Sequence, residues 1–366
     1  MPDPRLSTLA NLLCTYSLQV EKDDLVLIQG PALAQPLLVE VLKSVTELGA
    51  HPMLRPHLES VEATVLEHSS RAQLETVTRL DELEVELPTK FMSIWANGNT
   101  RYLSSAPAEN LAIRSAAHRG LFERSMNRVA AGEASWVGTC YPARAGAQEA
   151  GMSLAEWEDF VFTAGHLGDS DPIDFWRRQS ARQSAIIERL STVRELRIVA
   201  EDTDLVLDVG GRTWLNADGR ENFPDGEIYT SPLETATRGH IAFSFDATYL
   251  GRDVGGVRLW FEDGRVVREE AARGEDYLHR LLDQDEGARY LGEVAFGLND
   301  EIQVATRDTL FDEKMGGTCH VALGMAFPEA GGRNTSGLHW DIVRDLRSGG
   351  EVYGDGELLA RDGAFL

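Results

Sequence analysis

An α/β half followed by a β-rich half is the fold class this sequence predicts. Three observations carry that expectation. Strands and helices alternate up to about residue 190, short strands between tight turns dominate beyond it, and 366 residues exceed one ordinary core. The expected division is an N-terminal α/β domain with a mostly parallel sheet over 1–192, and a C-terminal β-rich domain over 193–366.

The elements follow from local pattern. Leu6, Leu9, Leu12, Leu13 and Tyr16 recur at helical spacing over 5–19. The unbroken apolar run 25–28 reads as a buried strand. Pro36 then opens a helix carrying Leu37, Val41, Leu42, Val45 and Leu48, with Gly49 as its C-cap. A further strand at 51–54 completes a βαβ unit, which implies a parallel pair with a right-handed crossover. The intervening GPALAQP loop has one glycine and two prolines, and so is no dinucleotide fingerprint. A charged helix over 71–85, a strand at 91–96, a long helix at 109–131 and a strand at 136–141 follow. Ser153 and Glu156 form a capping box for the next helix, and another helix covers 173–191. Beyond residue 195 the pattern predicts strands at 196–200, 204–209, 213–216, 239–244, 257–262 and 265–270, with one helix at 276–287. The pairs Gly210-Gly211, Asp218-Gly219 and Asp263-Gly264 supply the turns.

Composition narrows the function. A formal charge of −24 would repel a phosphate backbone, which argues against nucleic acid. An acidic surface suits cations, whether metal ions or the ammonium of a peptide N-terminus. The three cysteines, Cys14, Cys140 and Cys319, are far apart and include no Cys-x-x-Cys pair, which fits a reducing compartment. No run of 18 apolar residues occurs, so no membrane span is expected, and the N-terminal stretch lacks the apolar core of a signal peptide. The expected location is cytoplasmic.

The chemistry concentrates near the C-terminus. His339 and Asp341 at i, i+2 share one face of a strand. His320 heads the apolar run Val321, Ala322, Leu323, and a Gly-rich loop returns the chain from one histidine to the other. A core histidine with a solvated strand end would give the same pattern. Glu227 follows a turn in FPDGEIYTSP, where an exposed turn acid is the plainer alternative. Glu293 lies among Leu291, Val294, Ala295 and Phe296; it either lies on the polar face of an edge strand or points inward, where an unpaired carboxylate is costly. Together these three carboxylates and two imidazoles form a suitable set of ligands for two divalent ions sharing a carboxylate and a water. Zinc, cobalt and manganese all suit such donors.

The strings LANLLCTYSLQVEKDDLVLIQGP, WVGTCYPARAGAQEAGMSLAEWEDF, GEIYTSP, LGEVAFGLN, LFDE, CHVALG and NTSGLHWD run through nearly the whole chain. In them the protein resembles the aminopeptidase T-type metallopeptidases. The resemblance implies that Glu227, Glu293, His320, His339 and Asp341 ligate two metals. It further implies a homodimer of metal-dependent aminopeptidases, with a β-rich catalytic C-terminal domain and peptides with a free N-terminus as substrates. Glu293 is expected to bridge the metals, whose bound water would attack the first peptide bond. Two departures stand out, one of them a loop from His320 to His339 that is shorter than in typical members. The family usually has a tyrosine seven residues after the first histidine, and Phe327 occupies that place here. Phe327 either faces the metals or is ordinary core. Two alternatives share the scaffold. One resembles 2,5-dihydroxypyridine dioxygenase, a mononuclear iron, ring-cleaving enzyme with histidine in place of Glu293. The other is a catalytically weak or silent homologue.

Overall fold

The computed structural model describes residues 3–366, which divide into two units, one running to Ile173 with Gly219–Phe223, the other Asp174–Asp218 with Pro224–Leu366. The first is built on a five-stranded parallel sheet in the order His51–His57, Leu25–Pro31, Lys90–Trp95, Ser135–Cys140, Asn222–Phe223. The apolar run Val26, Leu27, Ile28 is buried on both faces, as an inner parallel strand requires. The neighbouring His51–His57 is an exposed edge. The predicted 36–48 helix is Gln35–Glu47, and the long helix is Ala108–Ala130. The first helix, Pro4–Leu12, runs on into a wider turn over Leu13–Ser17.

One helix differs from expectation. The single charged helix over 71–85 is two, Arg71–Glu75 and Arg79–Glu86, preceded by a third, Glu59–His68. Capping boxes cause the break. Ser70 pairs with Gln73, and Thr78 with Asp81, each satisfying the backbone N–H groups that open a new helix.

The second unit contains antiparallel sheets of eight and five strands, besides a two-stranded ribbon of Ala247–Tyr249 and Arg252–Val254. The larger runs Arg265–Glu270, Arg258–Glu262, Arg238–Ala242, Thr203–Asp208, Glu195–Ala200, Glu351–Gly354, Glu357–Arg361, Ala364–Phe365. The smaller runs His339–Asp345, Thr318–Gly324, Leu291–Gly297, Glu227–Thr230, Leu215–Ala217. Ile228, Val294, Phe296, Cys319, Val321, Leu323, Trp340 and Ile342 of the smaller sheet join one hydrophobic core with Leu196, Ile198, Leu205 and Leu207 of the larger. Strand alternation therefore sends Glu227, Glu293, His320, His339 and Asp341 to the opposite face. The helix Pro172–Leu190 supports this arrangement. Its buried Gln183 donates from Nε2 to the carbonyl oxygens of Glu227 and Ala217, at 2.9 Å each. No helix among the described residues is long and apolar enough to cross a membrane.

Counted forward from Leu291, alternation would fail at Glu293. Leu291 pairs with the core residue Leu323, and two residues later Glu293 would return to the same core face. A bulge between them pairs Glu293 with Ala322 instead, which turns the carboxylate onto the face that holds His320. Gly292 permits the bulge, because a Cβ there would lie 1.9 Å from the Met325 carbonyl oxygen.

Two glycine substitutions should therefore differ in sign. Gly292→Ala forces backbone apart beside Glu293 and should cost more than about 3 kcal/mol, in the upper range for point mutants. Gly120→Ala lies in the long helix with nothing within 4 Å of the new methyl and should stabilise by about 0.5–1 kcal/mol. Thermal denaturation of the two variants checks both expectations.

Candidate metal centre

The five side chains singled out from the sequence converge on one face of the smaller sheet. Neighbouring strands present them in register, with Ala295 opposite His320, Ala322 opposite Asp341 and Gly324 opposite His339. Small residues at alternate positions leave the acidic and imidazole side chains room to meet. Gly324 is obligatory, since its φ is +95° and a Cβ would lie 2.2 Å from the Leu338 carbonyl oxygen. Gly226, at φ +118°, similarly lets the turn before Glu227 pass close to Asn299.

Glu293 is the middle of the cluster and is 4 % exposed. Its Oε1 lies 3.7 Å from His320 Nε2, and its Oε2 lies 3.5 Å from His339 Nε2. On the first side, His320 Nε2 is also 3.5 Å from Glu227 Oε2. On the second, His339 Nε2 is 3.5 Å from Asp341 Oδ2. Ligand atoms of Glu293, His339 and Asp341 all fall within 4.8 Å of one another. Neither the exposed turn acid considered for Glu227 nor the solvated edge considered for Glu293 describes these positions, since both residues are buried.

The imidazoles differ in their support. His339 Nδ1 lies 3.0 Å from the Met325 carbonyl oxygen, to which it donates, so Nε2 keeps its lone pair for the cluster. His320 is wholly buried, and neither ring nitrogen has a hydrogen-bond partner; 3.7 Å to Glu293 is beyond hydrogen-bond reach. Phe327 packs edge-on against the His339 ring at 5.3 Å between centroids, and against Tyr229 at 5.0 Å. It therefore borders the cluster.

Two residues that were not read as site residues from the sequence complete the arrangement. Lys314, 1 % exposed, places Nζ 3.1 Å from Glu227 Oε1 and pairs with Glu313. Glu313 in turn faces Asp341, and both line the same cleft. Both lie in the string LFDEK, whose first four residues are part of the family resemblance. Nothing in local pattern marks them, because lysine and glutamate at a helix end ordinarily face water. A cleft lined by Phe245, Thr248, Arg307, Asp312, Glu313 and Asp341 opens beside the cluster.

The electrostatics are those of excess negative charge held out of water. Burial pushes Glu227 above the ordinary carboxylate range despite the nearby Lys314. Burial, followed by the facing carboxylates of Glu313 and Glu293, holds Asp341 well above it. Burial works against charge on His320, but Glu293 and Glu227 outweigh it and lift the imidazole to about 10. Burial would also raise Glu313, yet Lys314 and His320 hold it low.

A divalent cation fits this set. Glu227 Oε2, His320 Nε2 and Asp341 Oδ1 are buried without hydrogen-bond partners, and each such atom costs about 1–3 kcal/mol when left unsatisfied. Mixed carboxylate and imidazole donors suit zinc and its neighbours.

The chain matches the model of the thermophilic metalloprotease (M29) family over residues 2–365. It is 25% identical over 353 residues to Aminopeptidase 2 of Geobacillus stearothermophilus, covering 89% of this chain and 84% of that one. It is 35% identical over 191 residues to Aminopeptidase T of Thermus thermophilus, covering 47% of this chain and 45% of the relative. The solved structure of wild-type AmpT from Thermus thermophilus superposes with a TM-score of 0.86 over 99% of both chains at 24% identity, which shows a shared fold. The ring-cleaving dioxygenase alternative finds no support here, and Glu293 stands where that branch carries histidine. With its sequence matched almost end to end, this chain belongs to the thermophilic metalloprotease family M29, hydrolases acting on peptide bonds.

Proposed function

We propose that the cluster is the catalytic centre of a metal-dependent aminopeptidase that holds two divalent ions. The observation that carries this reading is Glu293, whose two oxygens face different partners, Oε1 toward His320 and Oε2 toward His339. Glu227 and His320 would hold one ion, His339 and Asp341 the other, and Glu293 both. Such ions supply polarisation of the scissile carbonyl and a water of lowered pKa. Zinc, cobalt and manganese are the candidates.

The chain's own residues do the rest. The His339 side chain is 25 % exposed, against 1 % for His320, so the His339 side is the one open to a substrate. Phe327, packed on that imidazole, makes the same side apolar and limits water there. Met325 holds the His339 tautomer through its carbonyl oxygen. The negative potential of the buried carboxylates favours a substrate carrying an α-ammonium over one with a blocked terminus. A homodimer, as the family resemblance implies, and a cytoplasmic setting belong to the same reading; Cys14, Cys140 and Cys319 are buried thiols, which fits a reducing compartment.

Metal-reconstituted protein should hydrolyse amino-acid p-nitroanilides and ignore their N-acetylated counterparts, with two ions per chain by elemental analysis. Inertness across a broad panel with zinc, cobalt and manganese would contradict the proposal and favour a silent homologue.

Glu293→Gln should lower kcat at least about a hundredfold while the circular dichroism spectrum is kept, because it removes charge and not volume. Phe327→Tyr places a hydroxyl beside His339 and should raise kcat, by up to roughly a hundredfold, more than it changes KM. Steady-state kinetics of both variants at matched metal content provide the check.

A further inference from the structure

Lys314 is the one cationic group reaching the cluster, apart from the imidazoles, among the contacts described above. Its Nζ lies 3.1 Å from Glu227 Oε1 and also pairs with Glu313, which lines the same cleft as Asp341. Lys314 thus links Glu227 on the His320 side to Glu313 on the Asp341 side. The side chain is 1 % exposed, so neither contact exchanges with water.

The consequence for Glu227 is specific. One oxygen is taken by the ammonium. The other, Oε2, is buried, has no hydrogen-bond partner and lies 3.5 Å from His320 Nε2. We infer that Lys314 is a positioning residue, a clamp that ties up Glu227 Oε1 and so presents Glu227 as a one-oxygen ligand on the His320 side. The inference rests on the proposed metal centre.

Two effects of deleting Lys314 oppose one another, and their signs separate the possibilities. If the ammonium serves only as a counter-charge, its removal leaves the cluster more negative and divalent ions bind more tightly. If it serves as a clamp, Glu227 is freed to rotate and the ions bind more weakly, as when an outer hydrogen-bond partner of a metal ligand is lost, typically by 10- to 100-fold. Lys314→Gln keeps an N–H donor within reach of Glu227 and drops the charge, which isolates the hydrogen bond from the charge.

The test is zinc titration of the full chain against a colorimetric chelator, which reads the affinity of each binding step without reference to activity. Lys314→Met should weaken at least one step by about 10- to 100-fold, and Lys314→Gln should stay within about fivefold of the parent. Unchanged or tighter binding by Lys314→Met, or a loss in Lys314→Gln equal to that in Lys314→Met, overturns the clamp. Should Lys314→Met fail to fold, Lys314→Gln decides alone; a change beyond about fivefold in either direction overturns it. Failure of the parent chain to bind zinc is a separate result, which removes the metal centre and the clamp with it.

Discussion

The organising constraint of this protein is the crowding of four carboxylates, the buried Glu227 and Glu293 and the half-buried Glu313 and Asp341, around two imidazoles and one ammonium. Two like charges 4 Å apart repel by about 4 kcal/mol at the effective dielectric of a protein interior. Lys314 alone does not offset several such pairs. The cluster is therefore costly without protons or cations, and it persists because the surrounding structure fixes it. The smaller sheet has a full hydrophobic core on its other face, Gln183 ties down the backbone of Glu227, and the Gly292 bulge leaves Glu293 one face to occupy. Folding stability gained elsewhere is stored here as affinity for cations, which is what a hydrolase acting on peptide bonds needs to polarise an amide.

The same constraint explains the division of labour within the second unit. The larger sheet shares the core and contributes none of the five clustered side chains. The smaller sheet supplies all of them, on three inner strands and one edge strand, so their spacing is set by hydrogen-bonded register instead of by loop conformation. Rigid strands hold ligands more closely than loops do. The two side chains bordering the solvent side, His339 and Phe327, lie at the end of and within the 325–338 connection.

Much of this was legible in sequence, and for identifiable reasons. His339 and Asp341 announced a shared strand face through their i, i+2 spacing, and Val26 to Ile28 announced an inner parallel strand through unbroken apolarity. The ligand set itself came from ordered motifs in the family resemblance, since neither Glu227 nor Glu293 could be told from an ordinary acid by spacing. What sequence hid was set by tertiary context. The Gly292 bulge reverses a face, and no alternation pattern shows it. Lys314 reads as a surface lysine because burial of its ammonium depends on carboxylates 87 and 1 residues away, Glu227 and Glu313. The charged stretch 71–85 looked like one helix because its polar composition obscured two capping boxes, at Ser70 and Thr78.

Anomalous diffraction from crystals grown with zinc tests the central claim most directly. Two peaks per chain, one between Glu227 and His320 and one between His339 and Asp341, with Glu293 reaching both at about 2.0–2.2 Å, is the result this account predicts. A single peak confined to His339 and Asp341, with Glu293 turned away from it, would contradict the shared-carboxylate centre.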